Sequence, residues 1–315
     1  MFRRSVVALL LVCLAGLIAG CTANTKSPDK KVQVVASVYP VQEFVKAVGG
    51  ERVDVSLLVP PGTEPHDWEP TAKDLAKIKG SALLVYHGAG LEHWAGAVVK
   101  PELLGAAKAV EVSKGIALLD AAENELGEET GHNHGGEAHG AKDPHVWLDP
   151  VLAQQEVKTV LAALIEVDPA HASEYEANAA AYLKELQQLH AEYTAALQQT
   201  AKKELITSHA AFSYLAKRYQ LQQVPVMGLS PDAEPTADKM AEIIRFCKEH
   251  QVKYIFFETL VSPKLAEVLS REAGASTLVL NPLEGLTVQE YKEGKSSYLT
   301  LMRENLQQLK KALAQ

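Results

Sequence analysis

Between Ala170 and Lys202 the chain contains neither glycine nor proline. Its apolar side chains there, Tyr175, Ala179, Tyr182, Leu183, Leu186, Leu189, Tyr193 and Leu197, recur with the spacing of one helix face. Asp168-Pro169 just before it supplies an N-cap and a first-turn proline. At about 1.5 Å per residue the predicted helix is on the order of 45 Å long, enough to run the height of a two-part body. A helix in that position divides the chain into two flanking segments and resists hinge bending far better than paired extended strands.

Both flanking segments read as α/β. Before the helix, apolar and β-branched runs at Val32 to Ser37, Val53 to Val59 and Ala82 to Tyr86 alternate with helical patterns at Val41 to Val48, Thr71 to Lys79 and Leu91 to Val99. After it, strands are expected near Glu204 to Thr207, Val224 to Met227, Lys253 to Phe257 and Thr277 to Leu280. Helices are expected near Ala211 to Tyr219, Thr236 to Glu249, Pro263 to Ala273 and Ser297 to Ala314. Such alternation implies parallel strands with crossover helices. The segments also share a motif: Glu69-Pro70-Thr71-Ala72-Lys73-Asp74-Leu75-Ala76-Lys77-Ile78 recurs as Glu234-Pro235-Thr236-Ala237-Asp238-Lys239-Met240-Ala241-Glu242-Ile243. Thr71 and Thr236 are ordinary N-cap residues, so unrelated helix starts would share part of that pattern. Each copy, however, follows a strand and loop and precedes another strand. The expected fold is α/β, with two pseudo-symmetric lobes of parallel sheet flanked by helices and one long connecting helix.

The first twenty residues carry Arg3 and Arg4, an apolar run from Val6 to Ile18, and Ala19-Gly20-Cys21, the order of a secretory signal peptide. A membrane-spanning helix needs roughly 20 apolar residues, more than this run offers. An uncleaved anchor helix is the alternative, but the small residues ahead of Cys21 resemble a lipobox, which implies a diacylated Cys21 as the new N-terminus. Acyl chains contribute about 0.8 kcal/mol per buried CH₂, so several give a durable anchor. Thr22 to Lys31 then reads as a flexible tether, and the mature protein is expected outside the cytoplasm, lipid-anchored at the membrane or periplasmic. Loss of Arg3 and Arg4 takes the formal charge from −8 to −10, which argues against nucleic acid as a partner. With Cys21 lipidated, Cys247 is unpaired, leaving no thiolate zinc site and no disulfide framework. Following Ile243, Ile244 and Phe246, it reads as a buried, inert thiol.

Four short motifs, distant from one another, carry metal-ligating side chains: Glu64-Pro65-His66-Asp67-Trp68, Asp143-Pro144-His145-Val146-Trp147-Leu148-Asp149, Thr207-Ser208-His209 and Asn281-Pro282-Leu283-Glu284. Three imidazoles and a carboxylate are the donors that tetrahedral Zn²⁺ prefers. His66 follows a strand in a loop stiffened by Pro61, Pro65 and Pro70. His209 and Glu284 lie just past strand ends, where open parallel sheets gather their ligands. An exposed turn histidine at 66 and a buried structural histidine at 145 are the plain alternatives. Asp67, Asp143 and Asp149 can orient imidazoles, although helix capping accounts equally well for Asp149. A histidine-rich tract with His132, His134 and His139 lies in a segment, 120 to 142, that has almost nothing to bury and reads as a loop. It is either an ordinary solvated loop or a weak zinc collector. His87, His93, His171, His190 and His250 receive no metal role.

Taken together, E-P-H-D-W-E-P-T, D-P-H-V-W-L-D-P, S-H-A-A-F and N-P-L-E-G-L-T resemble the solute-binding lipoproteins of high-affinity zinc ABC importers, the ZnuA/AdcA-like members of cluster A-I. The likeness covers residues 32 to 315. It implies His66 and His145 from the N-terminal lobe, His209 and Glu284 from the C-terminal lobe, Zn²⁺ clamped in the cleft between them, an ABC permease as partner, and a monomer. Many relatives carry an aspartate where this chain has Asn281; here the carboxylate role passes to Glu284, with Glu258 in reserve. Manganese-binding relatives typically have a carboxylate in place of His209, and a third imidazole suits Zn²⁺ better than Mn²⁺. A Mn²⁺- or Fe²⁺-binding member of the same family remains an alternative. Outside this class stand a secreted zinc hydrolase with Glu284 as general base, without a nucleophile motif or H-E-x-x-H to support it, and an adhesin, which can coexist with transport. The expected organisation is a signal peptide at 1–20, a lipidated tether at 21–31, an N-terminal lobe at 32–168, a linking helix at 169–202 and a C-terminal lobe at 203–315.

Overall fold

A computed structural model describes residues 30–121, 141–231 and 235–314. Residues 32–315 form one compact unit. Its first half runs β1 (Val32–Ala36), α1 (Tyr39–Gly49), β2 (Val53–Leu57), α2 (Ala72–Lys79), β3 (Leu83–Tyr86), two single-turn helices α3 (Ala95–Val98) and α4 (Pro101–Leu104), and β4 (Lys108–Glu111). Two long helices follow, α5 (Pro150–Val167) and α6 (Ala172–Leu197). The second half runs β5 (Glu204–Thr207), α7 (Ser213–Tyr219), β6 (Gln222–Pro225), α8 (Ala237–Glu249), β7 (Tyr254–Phe257), α9 (Lys264–Ala273), β8 (Ser276–Val279), α10 (Val288–Glu293) and α11 (Tyr298–Leu313).

The two sheets are four-stranded and parallel, ordered β2-β1-β3-β4 and β6-β5-β7-β8. The orders are superimposable strand for strand, so the halves repeat one topology. The shared motif falls at equivalent places: α2 and α8 both connect the second strand of a half to its third. Thr71 and Thr236 cap them through Asp74 N–H (3.4 Å) and Lys239 N–H (3.2 Å). Only the first closes a capping box, because the position occupied by Asp74 holds Lys239 in the second copy.

The long helix differs from expectation at its start. Asp168 does not cap it; residues Pro169–His171 form a 3-10 turn and the α-helix begins at Ala172. The Asp168 carboxylate is taken up instead by the Tyr175 hydroxyl at 2.6 Å and His171 Nδ1 at 2.8 Å, donors that outcompete the helix terminus. At the far end Lys203 Nζ donates to the Leu197 carbonyl (3.0 Å), satisfying an open acceptor where the helix stops. Helix α6 is thus 26 residues long, about 39 Å. It buries Tyr175, Ala179, Leu186, Leu189, Tyr193 and Leu197, against which Tyr182 and Leu183 pack half-buried. One continuous apolar cluster extends from Val34 on β1 through α6 to Leu313 on α11, so both halves share a core. Among the described residues no helix is long and apolar enough to cross a membrane.

Candidate metal centre

His66, His145, His209 and Glu284 meet at one buried point, although up to 218 residues separate them in sequence. His66 stands on the loop after β2, where its N–H donates to Glu64 Oε2 (2.9 Å). His145 precedes a 3-10 turn at Val146–Leu148. His209 lies two residues past β5, with its carbonyl held by Thr207 Oγ1 (2.7 Å) and Gln223 Nε2 (3.0 Å). Glu284 follows β8 through a turn in which Leu283 adopts φ +59°. That left-handed conformation is unfavourable for leucine, and the turn is held from both sides: Leu283 N–H donates to Asn281 Oδ1 (2.8 Å), while Asn305 on α11 bonds both the Asn281 N–H (2.8 Å) and its carbonyl (2.6 Å).

The donor spacing is that of a coordination sphere. Glu284 Oε1 lies 3.3, 2.9 and 3.1 Å from Nε2 of His66, His145 and His209, and His145 Nε2 lies 3.3 and 3.4 Å from the other two imidazoles. A metal–nitrogen distance near 2.0–2.1 Å fixes the edge of a regular tetrahedron at about 3.3 Å, which matches these five separations. The four residues can hold a metal ion.

Carboxylates behind two of the imidazoles set their orientation. Asp143 Oδ1 accepts from both the N–H (2.9 Å) and Nδ1 (2.8 Å) of His145. Glu258 accepts from the N–H (3.1 Å, Oε1) and Nδ1 (2.6 Å, Oε2) of His209. With Nδ1 occupied as donor, the Nε2 lone pair of each ring is directed at the shared point. Glu258, the reserve ligand of the sequence reading, therefore sits behind His209, with both its oxygens on that residue. His209 and Glu258 follow β5 and β7, neighbouring strands from which the chain departs in opposite directions, the place where open α/β sheets form a crevice. Asp149 instead caps α5 through Val151 N–H (2.8 Å) and pairs with Arg218 (2.8 Å). Asp67 is exposed.

The charge states follow from this arrangement. Burial disfavours a charged His209, but the Glu258 and Glu284 carboxylates overcome it and hold the imidazole well above its usual range. Burial likewise opposes charge on His145, and the hydrogen bonds from Asp143 and Glu284 again carry it upward. At His66 burial prevails over Glu284 and the imidazole is shifted down. Burial would raise Glu284, but the charge on His209 and the bonds from three imidazoles hold it well below the ordinary carboxylate range.

Trp147 joins the halves beneath this point. Its Nε1 donates to the Pro282 carbonyl (2.8 Å), and its own carbonyl accepts from the Tyr298 hydroxyl (2.5 Å). Its ring lies edge-on between those of His145 and His87. Of the histidines given no metal role, His87 faces Glu156 at 3.1 Å, His171 bonds Asp168, His190 bonds Tyr219, His250 bonds Glu204, and His93 is exposed. Cys247 is buried and free, and burial pushes its thiol up to about 11. His132, His134, His139 and Cys21 lie outside the described residues. The contacts of Glu258, Trp147 and Asn305 carry no local signature in the sequence; only Asp143, two residues from its imidazole, lies within the motif.

The sequence profile of the family described as zinc-uptake complex component A, periplasmic (ZnuA), matches residues 34–312. The chain is 43% identical over 318 residues to the high-affinity zinc uptake system protein ZnuA of Bacillus subtilis (strain 168), covering 99% of each. It is 41% identical over 315 residues to the zinc-binding lipoprotein AdcA of Streptococcus pneumoniae serotype 4, covering 98% of this chain and 61% of that longer relative. The crystal structure of the Zn(II)-bound ZnuA-like domain of S. pneumoniae AdcA superimposes with a TM-score of 0.75 at 39% identity, over 90% of this chain and 100% of the domain.

Proposed function

The chain belongs to the family of periplasmic zinc-uptake complex A components, and from that premise we propose that it captures one Zn²⁺ outside the cytoplasm and delivers it to an ABC permease. The ion is cargo, held by Nε2 of His66, His145 and His209 and by Glu284. What carries this reading is the donor set itself, three imidazole nitrogens and one carboxylate oxygen with five of their six separations between 2.9 and 3.4 Å. It suits Zn²⁺ better than Mn²⁺, which favours oxygen donors. Two members of the set come from each half, so the ion joins the halves when bound. All four donors belong to the protein, as in a closed zinc site, whereas a hydrolytic zinc keeps a position for water. That difference favours transport over hydrolysis, and Glu284, already committed to the ion, is no free general base. Signal-peptide removal and lipidation at Cys21 complete the proposal: a monomer tethered at the outer face of the membrane, beside its permease.

Native mass spectrometry of the purified protein tests it. One Zn²⁺ per chain is expected, and H66A, H145A, H209A and E284A are each expected to weaken binding by more than about 100-fold, since even the partners behind metal ligands are worth 10–100-fold. Titration of the apoprotein should rank Zn²⁺ above Mn²⁺. Full zinc occupancy in H145A, or tighter Mn²⁺ than Zn²⁺ binding, would refute the assignment.

A further inference from the structure

Tyr214 stands where the second half of the chain grips the segment that carries His145. It lies in the first turn of α7, five residues after His209, and is 4% exposed. Its hydroxyl donates to the Asp143 carbonyl at 2.7 Å and accepts from the Leu119 N–H at 2.9 Å. Its ring is buried with Ile116 and Val146, and Leu118, Leu119 and Leu152 pack against that cluster. Leu119 and Asp143 are themselves joined, Asp143 N–H donating to the Leu119 carbonyl at 3.0 Å. Next to them Ala121 bonds Ala141 and Asp120 pairs with Lys142. The hydroxyl therefore closes the inner end of a short antiparallel ladder. From the same Asp143, Oδ1 reaches both the N–H and Nδ1 of His145. Backbone and carboxylate of one aspartate are thus held in series, the backbone by Tyr214 and the imidazole by the carboxylate.

Resting on the zinc-capture reading, we infer that Tyr214 is a positioning residue for metal retention: its hydroxyl fixes Asp143, and through Asp143 the direction of the His145 lone pair, from the opposite half of the protein. It is not a ligand. Because α7 follows directly on His209, any displacement that separates His145 from His209 must also strain the Tyr214–Asp143 bond. Linkage makes the coupling reciprocal: a contact that favours the bound ion is favoured by it, so zinc must also tighten the grip of Tyr214 on Leu119 and Asp143.

The test compares wild type, Y214F and Y193F. Tyr193 also has a buried hydroxyl, bonded to the Met302 carbonyl at 2.6 Å and not to Asp143 or His145, so Y193F controls for loss of a buried tyrosine hydrogen bond. Zinc release to an excess of chelator is expected to be about tenfold faster in Y214F, the scale of one buried hydrogen bond, and unchanged in Y193F. The visible absorption of the Co²⁺-loaded protein, which reports ligand geometry, is expected to change in Y214F alone. Equal release rates and equal Co²⁺ spectra in wild type and Y214F would overturn the inference while leaving the function intact. Failure of the wild type to retain zinc would overturn both. Should Y214F not fold, hydrogen exchange on the wild type decides: zinc must slow exchange of the Leu119 amide, and an unchanged rate rejects the coupling.

Discussion

At His145 and His209 a proton and a zinc ion compete for the same lone pair. Both imidazoles are carried above the ordinary value of 6.5 in the folded apoprotein, against the effect of burial, by Asp143 and Glu284 in one case and Glu258 and Glu284 in the other. A raised value means that the proton leaves only as the pH climbs past 6.5, so zinc affinity should keep rising with pH beyond the point where an isolated histidine site has levelled off. His66, shifted downward by burial, adds pH dependence only on the acid side. Calorimetry at pH 7 in buffers of different ionisation heat should therefore show net proton release on zinc binding. Heats that are independent of buffer would disprove the protonated apo state. E258Q separates the two roles of that carboxylate: fewer protons released, because His209 loses a charge that holds its proton, and zinc affinity lower by about 10- to 100-fold. His66 and His145 stood out in the sequence because each lies within a rigid local motif, Glu64 to Pro70 and Asp143 to Asp149, whose prolines and caps restrict the backbone, and His209 and Glu284 because each follows the end of an expected strand. The role of Glu258 was not, since 49 residues separate it from His209 and only the adjacency of β5 and β7 sets which ring nitrogen it meets.

At the scale of elements, α11 has a function beyond covering the second sheet. Asn305 on its buried face bonds both backbone groups of Asn281, and Asn281 in turn holds the strained Leu283 from which Glu284 projects. N305A leaves a buried N–H and a buried C=O without partners, at about 1–3 kcal/mol each, so denaturant unfolding of the apoprotein should show a loss of about 2–6 kcal/mol. Zinc affinity should fall as well, because the Leu283 conformation is no longer enforced. Loss of stability with unchanged zinc affinity would show that Glu284 is positioned independently of α11. Strands and helices with strong periodicity, β1 to β3, β5, β7 and α6, were readable from residue order. Strand β4 was not: Lys108-Ala109-Val110-Glu111 is short, edge-placed and half polar, and pairs with β3 only because the sheet has an open edge there. The helix expected over Leu91 to Val99 shrank to the single turn α3, since Glu92 folds back to bond the N–H groups of His87 and Gly88 (2.8 Å each).

For the whole molecule, the question is how far the halves move when the ion leaves. Sugar-type binding proteins close like a hinge about extended strands; here the link is α6, packed along most of its length against α1, α5 and α11 and sharing one apolar cluster with both sheets. Further bonds fasten the halves directly: Trp147 to Pro282, Tyr298 to Trp147, and Gly62 N–H to the Leu286 carbonyl at 2.7 Å. Parting the halves as rigid bodies would break these together and expose core, whereas displacing the loop that bears His66 breaks only the Gly62–Leu286 bond among them. His66 is 7% exposed while His145 and His209 are fully buried, so it marks the side open to solvent. Apo and zinc-loaded protein should accordingly give small-angle scattering profiles with radii of gyration within about 1 Å, well short of a hinge closure. Hydrogen exchange should show the change confined to residues 60–70 and 281–287 and to the Leu119 and Asp143 amides held with Tyr214, with the β1 and β5 amides equally protected in both states. A larger contraction on loading, or zinc-dependent protection spread through α6, would mean that the long helix bends and that the shared core yields with it.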